Sequence, residues 1–277
     1  MGYKLIACDL DETLLDDSHK IPQNNLDAIA RARKEYGVKF VPATGRGYSG
    51  IKQELLDLGL YDMPKEYTIS FNGGALTENK GSHLISFKGL SFEKTKEIFE
   101  FGLQCNVCQH VYTKDTLYVF NISDSEFERF KNQGVEYENK EENSIDFLKD
   151  EPISKILYQN VDVPYLMSLE PQMKHITDGC VAVSYSSNRY IEFNQLGVDK
   201  GQGLIDLAKL LNIDIKDTIA VGDNYNDMAM LKVAGLSVAA NNAVDDIKAI
   251  CDVTTKANNN EGVIAELIER FIFNNEV

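Results

Sequence analysis

Short apolar runs that stop at a polar residue recur through the first part of the chain. Leu5-Ile6-Ala7-Cys8 stops at Asp9, Val38-Lys39-Phe40-Val41 leads to Thr44, and Thr68-Ile69-Ser70-Phe71 stops at Asn72. Runs of this length predict buried strands. Between the first two, Leu26, Ile29, Ala30 and Ala32 follow a helical period bracketed by Pro22 and Gly37, which suits a helix entered at proline and left at glycine. Ile51, Leu55, Leu56 and Leu58 repeat that period before the third run. Strands alternating with helices predict a parallel α/β sheet.

The texture changes over 81–193. Runs such as Thr116-Leu117-Tyr118-Val119-Phe120 and Arg189-Tyr190-Ile191-Glu192-Phe193 are separated by helical patterns over 92–103 and 164–173. From 194 onward the first pattern returns: a helix over 204–211, a strand over 218–221, a short helix over 227–233, a strand over 236–239 and a helix over 263–273, with Asn258-Asn259-Asn260 as a polar loop before the last. The expected fold class is α/β, a Rossmann-like parallel-sheet core made of 1–80 and 194–277, interrupted by an inserted α+β cap module over 81–193.

Composition narrows the partners. The chain has 277 residues, enough for a core and a lid, with 43 acidic against 28 basic residues and a formal charge of −15. A broad nucleic-acid or anionic-membrane surface needs clustered Lys and Arg, so neither is expected. The apolar run before Asp9 is too short for a signal peptide, Ile6 stands where a myristoylation motif needs Ser or Thr, and no later stretch is long enough to span a bilayer. A cytoplasmic protein, monomer or homodimer, is expected. The five cysteines are an odd count and predict reduced thiols. Cys105-Asn106-Val107-Cys108 follows a helical pattern instead of opening one, a polarity that raises thiol pKa values, so a structural role is expected for the pair.

In open α/β sheets ligands bind beyond the carboxyl ends of the strands, and Asp9 with Asp11, Thr44, Asn72 and Asp223 all stand at such ends. A single acid there reads as a helix cap; the convergence of several does not. Carboxylates from Asp9-Leu10-Asp11-Glu12-Thr13 and Gly222-Asp223-Asn224-Tyr225-Asn226-Asp227 would repel one another unless a divalent cation sat among them. Oxygen-only ligands without a histidine cluster favour Mg²⁺.

With DxDxT at Asp9, Asp11 and Thr13, a strand-terminal Thr44 in Ala-Thr-Gly-Arg, Lys200 opening a helix, and GDxxND from Gly222 to Asp227, the chain resembles the haloacid dehalogenase superfamily. Within it the resemblance is to Cof-type phosphatases, whose large cap is inserted between the second and third motifs. The resemblance implies Asp9 as nucleophile and Asp11 as the acid and base, with Mg²⁺ held by Asp9, Asp223 and the Asp11 backbone carbonyl. It implies a phosphate cradle of Thr44, Lys200 and the backbone around Leu10 and Gly45. Arg46 would reach a substrate phosphate or hydroxyl, Asn226 and Asp227 would tether Lys200 or close the site from behind, and Asp227 would act from outside the metal shell. Asn72 would lie near the substrate. So would Asn242, although Asn241 stands before it where the family usually has glycine.

The expected function is Mg²⁺-dependent hydrolysis of a small phosphorylated metabolite, a sugar phosphate or similar monoester, through an aspartyl-phosphate. Transfer of the phosphoryl group to an acceptor uses the same residues, and a non-catalytic phosphometabolite-binding regulator could share the fold. Gly197-Val198-Asp199-Lys200-Gly201 lacks the spacing of a nucleotide P-loop, and the first strand leads into acids where a dinucleotide turn needs glycines. In the inserted module His110, Tyr112, Tyr118, Tyr185 and Arg189 are candidate substrate contacts, with core packing or plain surface as the competing reading for each.

Overall fold

The computed structural model describes residues 2–274. The chain opens with β1 (Leu5–Cys8), every residue of which is buried. It continues through α1 (Gln23–Tyr36), β2 (Lys39–Pro42), α2 (Lys52–Asp57) and β3 (Tyr67–Ser70). Pro22 precedes α1 and Gly37, at φ +68°, ends it, as the sequence pattern predicts. β1 and β2 pair in parallel, and just beyond β2 a parallel bridge joins Ala43 to Ile69 of β3. β3 then folds back through β4 (Ala75–Glu78) and β5 (His83–Phe87) as a three-stranded antiparallel sheet.

The next stretch holds α3 (Phe92–Gly102), β6 (Cys108–Thr113), β7 (Leu117–Phe120), α4 (Asp124–Gln133), β8 (Glu138–Lys140), β9 (Ile153–Gln159), α5 (Val163–Thr177), β10 (Val181–Ser186) and β11 (Tyr190–Gln195). Its strands form one sheet in the order β10-β11-β9-β6-β7-β8, antiparallel except for the β7–β8 pair. Because side chains alternate across a sheet, β6 serves two cores. Val111 joins Ile156, Tyr158 and Phe193 against α3 and α5. Cys108, on the opposite face, packs with Val119 and Phe130 of α4.

The chain returns through α6 (Lys200–Leu210), β12 (Thr218–Gly222), α7 (Met228–Val233), β13 (Leu236–Ala239), α8 (Asp245–Ile250), β14 (Val253–Thr254) and α9 (Val263–Ile268). The central sheet is wholly parallel, β14-β13-β12-β1-β2. β1 shows why both faces are covered: Ile6 and Cys8 pack with residues of α1 and α9, whereas Leu5 and Ala7 pack with Leu204, Leu207 and Met230. At about 1.5–3 kcal/mol per fully buried large aliphatic side chain, these two layers are the main stabilising term of the region. This is a parallel sheet core with helices on both sides, joined in one chain to a second, antiparallel α+β unit.

The chain divides into one compact unit made of residues up to Phe87 and from Asp199 onward, and a second made of Lys88–Val198. The sequence pattern places these borders at 80/81 and 193/194. The shift at the first border has a simple cause, since β5 pairs with β4 and so stays with β3. Other differences are local. The third strand stops at Ser70, and Phe71 has a left-handed backbone. The last helix gives way after Ile268 to a wider turn over Glu269–Phe273, which keeps Phe271 and Ile272 buried. No helix among the described residues is long and apolar enough to cross a membrane.

Candidate active site

β12, β1 and β2 are neighbours in the parallel sheet, with strands about 4.8 Å apart, so the residues just past their ends gather at one edge of it. Those residues are Asp223, Asp9 and, two beyond β2, Thr44, and all are buried. β1 connects onward to β2 on one side and β12 connects onward to β13 on the other, so the sheet order reverses between β1 and β12, the place where open parallel sheets form a crevice.

Lys200 is the first residue of α6 and is fully buried. Its Nζ donates to Asp9 Oδ1 at 2.5 Å and to Asp227 Oδ1 at 2.6 Å. The other Asp227 oxygen accepts the backbone N–H groups of Asp223 (3.0 Å) and Asn224 (3.1 Å). Asp227 is thus fully used in fixing Lys200 and the loop that carries Asp223. Gly222 makes this possible, because a Cβ there would lie 2.4 Å from the Asp227 carboxyl carbon. Thr13 Oγ1 donates to Asp223 Oδ1 at 2.7 Å.

Oxygens of Asp9, Asp223 and Asp227 all lie within 4.8 Å of one another. Three carboxylates face one ammonium, and the imbalance shows in their protonation. Burial pushes Asp223 up to about 7, with Asp227 and Glu12 adding to it and Thr13 opposing. Asp9 is raised well above the usual carboxylate range by burial and by Asp227, against the pull of Lys200. Burial alone would lower Lys200, but Asp227 and Asp9 raise it, so it is a fixed cation. Asp9 Oδ2 and Asp223 Oδ2 have no donor among the described residues. Two spare carboxylate oxygens in an acid-rich, buried pocket fit a hard divalent cation.

Asp11 faces another way. Both of its oxygens accept from Arg46, one from Nε at 2.9 Å and the other from Nη2, while Arg46 Nη1 donates to Glu54 Oε1 of α2 at 2.9 Å. Burial would lower Arg46, but Asp11 and then Glu54 raise it. Asp11 also borders a polar cleft of about 340 Å³ that Glu12, Asp16, His19 and Asn242 help to line. The Asp11–Thr13 turn passes through Glu12 at φ +61°, and Asn242 Nδ2 holds the Glu12 carbonyl at 2.7 Å. Asn241 is not among the residues with positive φ, so this loop does not need the family's glycine.

The structure therefore brings Asp9, Lys200, Asp223 and Asp227 into one cluster. Thr44 is linked to Arg46 through its hydroxyl, which accepts the Arg46 N–H at 3.1 Å. Gly45 lies against the Asn72 side chain, where a Cβ would sit 3.2 Å from Oδ1, and Leu10 is wholly buried. The structure chooses among the readings. Of the two residues expected to tether Lys200 or close the site, Asp227 tethers it, and Asn226 Nδ2 reaches Asn72 Oδ1 at 3.4 Å. Arg46 is engaged in salt bridges by Asp11 and Glu54. His110 is completely buried, ringed by Phe130, Tyr190 and Tyr112, so it is not an accessible substrate contact. The Cys105 and Cys108 thiols are free, and burial raises both, Cys108 to about 12, which makes them poor nucleophiles.

Thr13, Glu54 and Gly73 contribute without being singled out by their residue type. Thr13 lies in the DxDxT motif, but its link to Asp223 spans the sheet. Glu54 carries no motif, only a helical position that brings it to Arg46. Gly73, at φ +93°, would place a Cβ 2.0 Å from the Asp199 carbonyl, so glycine is what lets this turn seat the start of α6 and Lys200.

The signature of haloacid dehalogenase-like hydrolases matches residues 6–267. The chain is 31% identical to phosphatase YwpJ of Bacillus subtilis over 94% of this chain and 97% of that one. It is 30% identical to 5-amino-6-(5-phospho-D-ribitylamino)uracil phosphatase YwtE of the same organism, over 94% and 95%. A solved haloacid dehalogenase-like hydrolase from Bacteroides thetaiotaomicron superposes with a TM-score of 0.84 at 29% identity, covering 97% of this chain and 99% of that one. Motifs, fold and relatives agree: the chain belongs to the haloacid dehalogenase-like hydrolases, and it is a phosphatase.

Proposed function

We propose that the chain hydrolyses small phosphomonoesters, sugar or sugar-alcohol phosphates in the first place, with Asp9 as nucleophile and Mg²⁺ as cofactor. The observation that carries this reading is the surplus of carboxylate at the strand ends, three acids to one lysine with spare oxygens on Asp9 and Asp223. Asp9, Asp223 and the Asp11 carbonyl would hold the ion. When bound, Mg²⁺ neutralises the surplus charge and lets a dianionic phosphoryl group approach.

Lys200, fixed by Asp227, aligns the Asp9 carboxylate, so that one of its oxygens attacks phosphorus while the other would face the ion. The bond to the leaving oxygen breaks as Asp11 delivers a proton to it. Water then attacks the aspartyl-phosphate, Asp11 takes its proton, and inorganic phosphate leaves with Asp9 restored. Thr44 and the backbone around Leu10 and Gly45 receive the phosphoryl oxygens. General acid–base help gives about 10²–10⁴-fold, far less than a monoester needs, so charge stabilisation by this cradle supplies most of the acceleration. The name of the YwtE relative, a phosphatase of a ribitylamino phosphate, supports a polyol-bearing leaving group.

A panel of sugar, sugar-alcohol and nucleotide monoesters, assayed for phosphate release with Mg²⁺, with EDTA and without added acceptor, tests this. Release that needs Mg²⁺ and no acceptor is expected. Turnover unaffected by EDTA, or transfer to an added sugar without release, contradicts it.

A further inference from the structure

Glu54 takes no part in any motif, yet it sits at the far end of a chain of contacts that ends on Asp11. Its side chain is only 12% exposed, and its Oε1 accepts from Arg46 Nη1. Arg46 in turn is tied at its backbone, where its N–H donates to Thr44 Oγ1 and its carbonyl accepts the Phe71 N–H at 3.0 Å. Between those two anchors the guanidinium presents Nε and Nη2 to the two oxygens of Asp11. Apart from Arg46, the exposed His19, at 4.0 Å, is the only basic side chain within 4.0 Å of the Asp11 carboxylate among the described residues. Arg46 is therefore the side chain that grips Asp11, and Glu54 grips Arg46.

We propose that Glu54 is a positioning residue for Asp11, acting through Arg46 in the interval between the two half-reactions. The inference rests on the proposed role of Asp11. A paired grip by two N–H donors suits a carboxylate and not a carboxylic acid, whose O–H would face an N–H. Asp11 is a carboxylate from the moment its proton has gone to the leaving oxygen until it takes one from the attacking water. In that interval the water's O–P bond forms, the bond from phosphorus to Asp9 breaks, and the proton moves from water to Asp11. A long arginine side chain samples many rotamers, and an anchor at Nη1 removes much of that freedom before the water arrives.

Loss of the anchor should slow breakdown of the aspartyl-phosphate more than its formation. The test compares wild type with Glu54→Gln and Glu54→Ala on p-nitrophenyl phosphate and Mg²⁺, measuring nitrophenol release on the millisecond scale and acid-trapped phosphoenzyme at steady state. Glu54→Ala is expected to lower kcat about tenfold and raise the trapped fraction at least fivefold, with the first-turnover rate within about twofold of wild type. Glu54→Gln, which keeps an acceptor without the charge, should fall between. Equal loss in both phases with no rise in trapped phosphoenzyme, or no change in either variant, overturns the inference. Asp11→Asn is run beside them on an alkyl phosphate. If it turns over as wild type, the role of Asp11 itself is wrong; if it fails while both Glu54 variants behave as wild type, only the role of Glu54 is.

Discussion

Two buried clusters of charge, one in each unit, are built on opposite plans. At the ends of β12 and β1 three carboxylates share Lys200, and oxygens of Asp9 and Asp223 are left over. In the middle of the antiparallel sheet, Lys155 meets Glu192 at 2.5 Å, and Glu126 receives Tyr190 Oη at 2.5 Å with Arg189 at 3.4 Å. The two acids there face Lys155 and Arg189, with Arg129 also acting on Glu126, and burial lowers His110 so that it adds no charge. The first cluster has a surplus of acid that a proton or a cation must offset; the second has none. The lesson is that burial and ionisability do not mark a site. Surplus charge of one sign, with lone pairs left open at strand ends, does.

Removing the central cation of each cluster separates the two plans most strongly. Lys200→Met leaves Asp9 and Asp227 buried without their cation and should cost about 3–5 kcal/mol of unfolding free energy in EDTA. Lys155→Met leaves Glu192 with the Ser186 hydroxyl as a donor and should cost less, about 1–3 kcal/mol. Millimolar Mg²⁺ should stabilise Lys155→Met by the same amount as wild type, whose acid cluster it keeps, and Lys200→Met by more, so that it narrows the gap to wild type for Lys200→Met and not for Lys155→Met, read by denaturant unfolding. Equal Mg²⁺ effects on both would dissolve the distinction.

The pH dependence should run in opposite directions. Asp223, raised by burial to about 7, keeps a proton in the folded chain that the unfolded chain has released above about pH 4. Its contribution is full below that point and is lost as pH rises through about 7. His110, lowered by burial and then by Lys155 and Arg189 to about 3, refuses a proton that the unfolded chain takes near 6.5. Its contribution is full above 6.5 and is lost as pH falls toward 3. Each group contributes at most about 1.4 kcal/mol per pH unit within its window. Melting scans from pH 4 to 8.5 should show Mg²⁺ cancelling the alkaline loss and His110→Gln flattening the acid one. A Mg²⁺ effect of the same size at pH 5 and pH 8 would count against the first half of this prediction.

The smallest effect concerns the turn that aims the first cluster. Glu12 holds φ +61°, a conformation that costs a side-chain-bearing residue about 1 kcal/mol or somewhat more, and it adds negative charge near Asp223. Glu12→Gly should therefore be neutral to stabilising by about 1 kcal/mol, with Mg²⁺ affinity unchanged or slightly lower. Destabilisation beyond about 1 kcal/mol would show that the Glu12 side chain has a contact of its own.

Much of this was legible in the sequence because it rests on local rules. Strand runs ending at Asp9, Thr44 and Asp223 follow from apolar period and residue type alone, and the parallel sheet then aligns them; the helix opening at Lys200 came with the family resemblance, since the apolar period itself starts at 204. Less legible was whatever depends on a side chain reaching across the fold. Asn226 and Asp227 are adjacent, and only the curl of the Asp223–Asp227 turn decides that the second meets Lys200. His110 alternates with Val111 on β6, and its burial depends on α4 covering that face, which no local pattern announces. Glu54 is an ordinary helical glutamate until Arg46 is placed beside it. The border after β5 depended on a hairpin partner, since β5 by itself is a half-buried strand.

The central claim is that Asp9 carries the phosphoryl group. Rapid acid quench of the enzyme turning over a phosphomonoester with Mg²⁺, followed by peptide mapping, tests it most directly. The account predicts one phosphoryl group on Asp9, absent in EDTA and absent in Asp9→Asn, which should also release no phosphate above background. Mg²⁺-dependent phosphate release by Asp9→Asn, or a trapped phosphoryl group on any other residue, would contradict it.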